Sequence, residues 1–307
     1  MARPLNPLPL PLVDGAFRVR DAREGGLTRS RLRGSDLVRP FRGMRLPAGA
    51  DGLIERCHAY AEHRRVDFAF SHLTAAILYE APLPRLDDPP IHVSVPAPGR
   101  APEIAGFVGH KLSAWATVER MGLPVTTPEQ TWIDLASLLT PTDLIVVGDF
   151  FVSGRHPLTT REALARSIAA TPGRRGIARA RLAIDRVRVG TESPGETRLR
   201  LLLESAGLPA AQSNLEVFDG DRFVARVDLA YPGPRVAVEY EGDIHRVDQA
   251  VWRRDIRRRE RLEDIGWRTV RVTADDLARP AELIARLRRL LPSTEPSRFT
   301  TLPLKHA

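Results

Sequence analysis

The sequence predicts a mixed α/β (α+β) protein: an N-terminal winged helix and a mixed middle domain, followed by a C-terminal mixed sheet flanked by helices. Three observations predict this. Two short segments are crowded with arginine, two stretches carry helix-capping signals ahead of apolar runs at helical spacing, and alternating runs flank Pro232-Gly233-Pro234 as paired strands would. At 307 residues, 43% hydrophobic and 27% charged, the chain can bury a sizeable core without cross-links. The lone Cys57 makes no internal disulfide, and no Cys/His spacing of the zinc-finger kind exists, so any metal must rest on oxygen and imidazole ligands. No apolar run approaches membrane-span length, and Pro4, Pro7, Pro9 and Pro11 interrupt the leucines of the opening stretch. The chain reads as cytoplasmic, without a membrane partner.

The formal net charge is +8, which favours a polyanionic partner, although arginine-rich solvated helix faces would give the same excess. Residues 17–45 hold nine arginines against three acids, and residues 250–261 hold six against two. The excess is almost all arginine, whose planar fork suits phosphate.

In chain order, the proline-rich opening reads as an extended, mobile tail. Phe17, Val19 and Ala22 mark a short helix stopped by Gly25-Gly26, and Thr28 caps a second short helix, TRSRLRG. The alternating LVRPFRGMRLP (37–47) reads as a two-stranded wing. Arg29, Arg31, Arg33, Arg39, Arg42 and Arg45 on the second helix and wing complete a trimmed winged helix-turn-helix pattern. Farther on, SHLTAA starts a buried helix, residues 91–95 alternate as a strand, and Thr127-Pro128-Glu129-Gln130 is a capping box. An apolar helix or strand at 144–152 and helices near 160–170 and 175–187 follow. His58, His63, His72, His92, His110 and His156 are scattered and read as ordinary surface or core histidines.

The C-terminal stretch carries the chemistry. Ser193-Pro194-Gly195-Glu196 caps a helix whose Leu199, Leu202 and Leu203 face inward, with Glu196 toward the packed side. Strands at 223–231 and 235–241 follow. A tight turn at Gly233-Pro234 sets Asp228 opposite Glu239, on the face that also carries Glu241. Like charges directly opposed destabilise a sheet. Acids clustered in strands otherwise built of Val, Ala and Leu therefore call for a cation or for raised pKa values. Oxygen-only ligands favour Mg²⁺ or Mn²⁺, which retain waters and accept phosphate oxygens. Beyond Gly242 and His245, an arginine helix over 251–265 places Arg254, Arg258 and Arg261 on one face, toward backbone phosphates. WRTVRV (267–272) is a third strand, and a final helix spans 281–291.

In the first half, GLTRSRLRG, LVRPFRGMRLP, SHLTAA and GLPVTTPEQTWIDLA follow one another in an order that resembles the type IV abortive-infection antitoxin family. That likeness implies a DNA-binding module and a cognate toxin as a further partner. In the second half, ESPGETRLRLLLESAGLP, RVDLAYPGPRVAVEYEGDIHR and WRRDIRRRERLEDIGWRTVRVT together resemble the PD-(D/E)XK nuclease superfamily. More narrowly they resemble a bacterial domain family allied to very-short-patch-repair endonucleases. This likeness implies a restriction-endonuclease-like domain and Mg²⁺-dependent (or Mn²⁺-dependent) hydrolysis of DNA phosphodiesters. It implies Glu196 as the helical acid near the metal or its water, Asp228 as bridging ligand, Glu239 as second ligand, and His245 near the scissile phosphate. Glu241 stands where the superfamily commonly has lysine. Arg253, Asp255 and Arg259 match the family's arginine-helix motif.

The expected organisation is a tail over 1–13, a winged-helix-like DNA-binding domain over 14–48, an antitoxin-like middle domain with helical connector over 49–190, the nuclease-like domain over 191–292, and a C-terminal tail over 293–307. Two further readings share these residues: a non-catalytic DNA-binding regulator that retains the nuclease fold, and an antitoxin-like protein.

Overall fold

The computed structural model describes residues 6–13, 15–64, 66–242 and 249–291. They form a mixed α/β protein with three sheets and, among the described residues, eleven α-helices. Two compact units share them, the first running to Val147 and including Glu162–Asp185, the second taking Gly148–Arg161 and the chain from Arg186. The division therefore does not fall at one point near residue 190. No helix among the described residues is long and apolar enough to cross a membrane.

The first unit opens with β1 (Phe17–Arg18), α1 (Val19–Glu24), a 3-10 turn (Arg31–Arg33), β2 (Leu37–Val38) and β3 (Met44–Pro47), the strands forming an antiparallel sheet in the order β1-β3-β2. Two expectations are corrected here. The proline-rich opening packs instead of trailing: Leu8 and Leu12 lie against the small core of Phe17, Ala22 and Leu32. The second helix is a single 3-10 turn, because a stretch this short, closed by Gly34, cannot offset the cost of helix nucleation. The wing is present as the β2–β3 hairpin, Leu37 opposite Pro47 and Val38 opposite Leu46.

A five-stranded mixed sheet follows, made of β4 (Ala69–Phe70), β5 (Ile91–Pro96), β6 (Phe107–Leu112), β7 (Thr117–Arg120) and β8 (Leu123–Thr126) in the order β6-β5-β4-β8-β7. Residues 91–95 are all buried, as in a strand covered on both faces. Of the accompanying helices α2 (Leu53–His63), α3 (His72–Leu78), α4 (Pro128–Leu135), α5 (Pro141–Val152), α6 (Arg161–Ala170) and α7 (Ile177–Ile184), α4 begins at the expected cap, Thr127 Oγ1 accepting from the Gln130 amide.

In the second unit, α8 (Pro194–Ser205) precedes β9 (Gln212–Asp219), β10 (Arg222–Tyr231), β11 (Val236–Tyr240), α9 (Gln249–Asp264), β12 (Arg268–Val272), α10 (Ala274–Ala278) and α11 (Ala281–Leu290). The sheet order is β12-β11-β10-β9, with β11 and β12 parallel and the other pairs antiparallel. One core joins Leu199 and Leu203 of α8, Leu229, Val238 and Val270 of the sheet, and Leu283 and Leu287 of α11. Each such fully buried leucine contributes about 1.5–3 kcal/mol relative to exposure. A second core joins Ala230 and Ala237 to Leu262 at the end of α9 and to Trp267.

Two contacts fix α8. Asp149 Oδ2, fully buried, accepts from Thr197 Oγ1 at 2.8 Å and from Arg200 Nη2 at 2.9 Å, while Oδ1 accepts from the Arg188 amide at 2.8 Å. At its start the helix lies so close to the sheet that a Cβ on Gly195 would stand 2.0 Å from the Tyr240 ring.

Helix propensity alone makes Gly195→Ala stabilising by up to about 1 kcal/mol. The ring contact reverses the sign, and urea unfolding is expected to show a loss of about 1–3 kcal/mol. In a Tyr240→Ala background the same substitution should cost nothing or stabilise; additive costs would show that the ring is not the obstacle.

Candidate functional site

The site is built on the β10–β11 hairpin. Leu229 lies opposite Val238, Ala230 opposite Ala237 and Tyr231 opposite Val236. One step farther, the same register brings Asp228 to Glu239 on the face that Ala230 and Ala237 share with α9. The turn follows the expected chemistry: the Arg235 amide donates to the Pro232 carbonyl at 3.1 Å, with Arg235 at φ 52°. A register shift between Phe223 and Ala225 interrupts strict alternation at the far end of β10, away from the acids.

Asp228 is half-buried, and its Oδ2 accepts from the Tyr240 amide at 2.8 Å. Glu239 is 9% exposed, and its Oε2 accepts from Arg258 Nη2 at 2.7 Å. Arg258 also donates to the Arg226 carbonyl at 3.0 Å. It therefore turns into the sheet, a correction to its expected place on a phosphate-facing surface of the arginine helix. Exposed Arg261 donates through Nε to the Arg257 carbonyl at 3.0 Å, and Arg259 is half-buried. The side chains of Arg253 and Arg254, and all of His245, lie outside the described residues.

Glu196 is 8% exposed at the start of α8. Its own amide donates to Ser193 Oγ at 3.2 Å, so Ser193 caps the helix, while its carboxylate accepts from the Glu192 amide at 3.0 Å, one residue before the cap. Burial raises the Glu196 carboxyl above the usual carboxylate range, and the Asp228 charge raises it further while the Glu192 amide opposes the shift. Burial likewise raises Asp228, against the Tyr240 amide and the Arg258 charge. The charge of Asp228 is thus felt at Glu196.

Glu241 does not join them. Its carboxylate is bound by Arg271, the β12 residue paired with Glu239 in the parallel ladder. Among the described residues no three carboxylates bring oxygens within 4.8 Å of one another, so the expected sharing of one cation by Asp228, Glu239 and Glu241 is not formed in this arrangement. Among the described residues such a set of donors is formed by His72, His92 and His110 of the first unit, where the sequence showed only scattered histidines. They lie on α3, β5 and β6, and no local spacing links them.

Beside Asp228 a cleft of about 530 Å³ is lined by Glu192, Phe223, Arg226, Asp228, Arg258 and Arg261 among others. Phe223 is half exposed and stands edge-on to Phe218, ring centroids 5.7 Å apart. In the first unit Arg29, Arg33 and Arg42 are exposed. Arg31 is not available to a phosphate: its fork is spent on Asp36 at 2.9 and 2.6 Å, and it holds that carboxyl below the usual range.

No family model matches the chain. Over 203 residues, 66% of this chain and 73% of theirs, it is 29% identical to the uncharacterized proteins Rv2248 and MT2308 from two strains of Mycobacterium tuberculosis.

A carboxyl whose pKa is raised by folding weakens the fold as pH climbs: its contribution is fully present below the unfolded value and lost as pH passes the folded one. Asp228→Asn keeps an oxygen for the Tyr240 amide and removes the charge. Without added metal, it should be as stable as the wild type below about pH 4 and more stable at pH 7–8. Urea titrations across that range check this, and a variant less stable at pH 8 would mean the charge itself holds the fold.

Proposed function

We propose that the second unit is a restriction-endonuclease-like domain that hydrolyses DNA phosphodiesters with Mg²⁺ or Mn²⁺. The observation that carries this reading is the opposition of Asp228 and Glu239 on one face of a buried hairpin, with Glu196 entering from a capped helix. The donor set fits the ion: all oxygen, hard, partly desolvated and carrying more negative charge than the sheet tolerates. Asp228, Glu239 and Glu196 are the residues that would hold it or its water. When bound, such an ion acidifies water and offsets charge growing on phosphate oxygens. The chain supplies the rest. Exposed Arg261, and Arg226 where it pairs with Glu192, line the cleft with cationic donors for phosphate oxygens, and exposed Phe223 offers a face on which a base can stack. Arg29, Arg33 and Arg42 add sequence-independent contacts from the winged-helix-like segment.

A second reading, a DNA-binding regulator that retains the fold without turnover, is favoured by one observation. Arg258 already neutralises Glu239, and Arg271 already neutralises Glu241. In that reading the guanidinium groups stand permanently where the first requires a cation.

Plasmid nicking and thermal melting, each with and without Mn²⁺ or Mg²⁺, separate the two. The nuclease reading expects metal-dependent nicking, a metal-dependent rise in melting temperature, and loss of both in Asp228→Asn. It also expects Arg258→Ala to be less stable without metal and to gain more from Mn²⁺ than the wild type does. Indifference of both nicking and melting to millimolar metal leaves the regulator. Both readings expect duplex DNA affinity to fall steeply with salt, with Arg261→Ala and Arg42→Ala each reducing the log-log slope by about one. Salt-independent affinity would remove DNA from the account altogether.

A further inference from the structure

The first unit contains a constellation that the nuclease reading does not use. His72 follows Ser71 at the start of α3, His92 lies on the buried strand β5, and His110 lies on its parallel neighbour β6. One nitrogen of each ring lies within 4.8 Å of the others. His92 Nδ1 and His110 Nε2 are 3.0 Å apart. The His72 ring stacks on that of His110 at 3.7 Å between centroids, and the three ring planes are nearly parallel. His72 and His92 are buried, and His110 is half-buried.

An apolar core gains little from three imidazoles in contact, since each neutral ring has a lone pair that needs a donor. One N–H···N bond between His92 and His110 satisfies only part of that demand. Each neutral ring keeps one lone pair, and the three ring nitrogens converge within 4.8 Å on a point that no other donor fills among the described residues. Around them the second layer is also built. Among the described residues the buried Asp134 Oδ2 makes no full hydrogen bond: His72 Nδ1 lies 3.5 Å away, and the His72 backbone amide also faces the carboxylate. Its Oδ1 is held by Gln130 at 2.7 Å and by Arg174. Ser71 Oγ lies 3.0 Å from the same His72 Nδ1 and accepts from Ser94 Oγ at 2.8 Å. Two oxygens able to accept from Nδ1–H favour the tautomer that leaves Nε2 of His72 free as a ligand. A carboxylate that orients a metal-bound histidine through its other nitrogen does the same. The backbone adds a constraint, since His72 has φ 52°, a left-handed conformation uncommon outside glycine.

We propose that His72, His92 and His110 form a binding site for one divalent transition-metal ion, Zn²⁺ or an ion of similar ligand preference, with Asp134 as the positioning residue behind His72. Three imidazoles and no thiolate suit zinc, and sites of three protein ligands keep a fourth position for water or a substrate oxygen. In a tetrahedral site with Zn–N bonds of 2.0–2.1 Å, two ligand nitrogens stand about 3.3 Å apart, close to the 3.0 Å between His92 Nδ1 and His110 Nε2. Binding requires the ring that donates in the His92–His110 contact to move its proton to its other nitrogen, so that both facing nitrogens offer lone pairs to the metal with no net loss of a proton. It also swings the stacked rings out of parallel about χ2, a broad torsion in histidine. The site is separate from the acids of the second unit in both residues and donor chemistry.

The test uses the full chain, stripped with a chelator and dialysed against ZnCl₂, with bound metal counted per chain. One Zn²⁺ per chain is expected, together with a rise in melting temperature. His110→Gln, at the least buried ligand, should weaken zinc binding at least tenfold, and Asp134→Asn about 10–100-fold. Asp228→Asn and Glu239→Gln should leave zinc uptake unchanged. No zinc uptake by the wild type, or uptake that survives His110→Gln but is lost in the Asp228 or Glu239 variants, overturns the site. Should the histidine variants fail to fold, the zinc K-edge absorption of the loaded wild type decides. Three imidazole scatterers support the site, and an all-oxygen shell overturns it.

Discussion

The acidic site of the second unit depends on how closely α8 can approach the sheet. Gly195 is the residue that allows it, because the Tyr240 ring occupies the space where any other side chain would begin. That approach buries Glu196 three residues past the Ser193 cap and brings it within the influence of the Asp228 charge. The helix is held there by Asp149, whose bonds to Thr197, Arg200 and the Arg188 amide satisfy a buried carboxylate almost completely. A buried arginine and aspartate are together a weak source of net stability, but each makes the other's removal costly. What the pair supplies is position: a helix start that cannot drift away from the hairpin.

Once the acids are buried, their compensation becomes the central question. Two solutions are chemically open, an internal guanidinium or an external hard cation. Arg258 at Glu239 and Arg271 at Glu241 are the first solution in place. Asp228 and Glu196, raised by burial and served by backbone amides, have no comparable cationic bond among those described and keep the greater demand for charge. A metal at this site must therefore outcompete a charge-assisted hydrogen bond worth about 1.5–3 kcal/mol, which places its affinity under the control of a residue on the crossover helix.

Much of the second unit was legible in the sequence, since its signals are local. The Pro232-Gly233-Pro234 turn set the hairpin register, the register set Asp228 against Glu239, and Ser193-Pro194 announced the helix that carries Glu196. What was not legible depends on contacts between distant segments. A helical spacing puts Arg258 on a face of α9 but does not say that a carboxylate on the preceding strand, β11, will claim it. Arg31 reads as a phosphate contact until Asp36, five residues on, folds back to meet it. His72, His92 and His110 are separated by 20 and 18 residues and joined only by the pairing of β5 with β6 and the return of α3. The glycine at 195 looked like part of a cap, and only the Tyr240 ring gives it a reason.

The parallel pairing of β11 with β12 also governs the order of assembly. β9, β10 and β11 are joined by tight turns, so their loop-closure cost is small, whereas β12 can add only after the chain has travelled back through α9. The hairpin that opposes Asp228 and Glu239 is thus the local, early-forming part, and the arginines that relieve it arrive with the late, long-range part. During that interval the two charges face each other with only solvent ions and protons between them. The chemistry that makes this face attractive to a cation in the finished protein also makes the hairpin's formation sensitive to acid and to ionic strength.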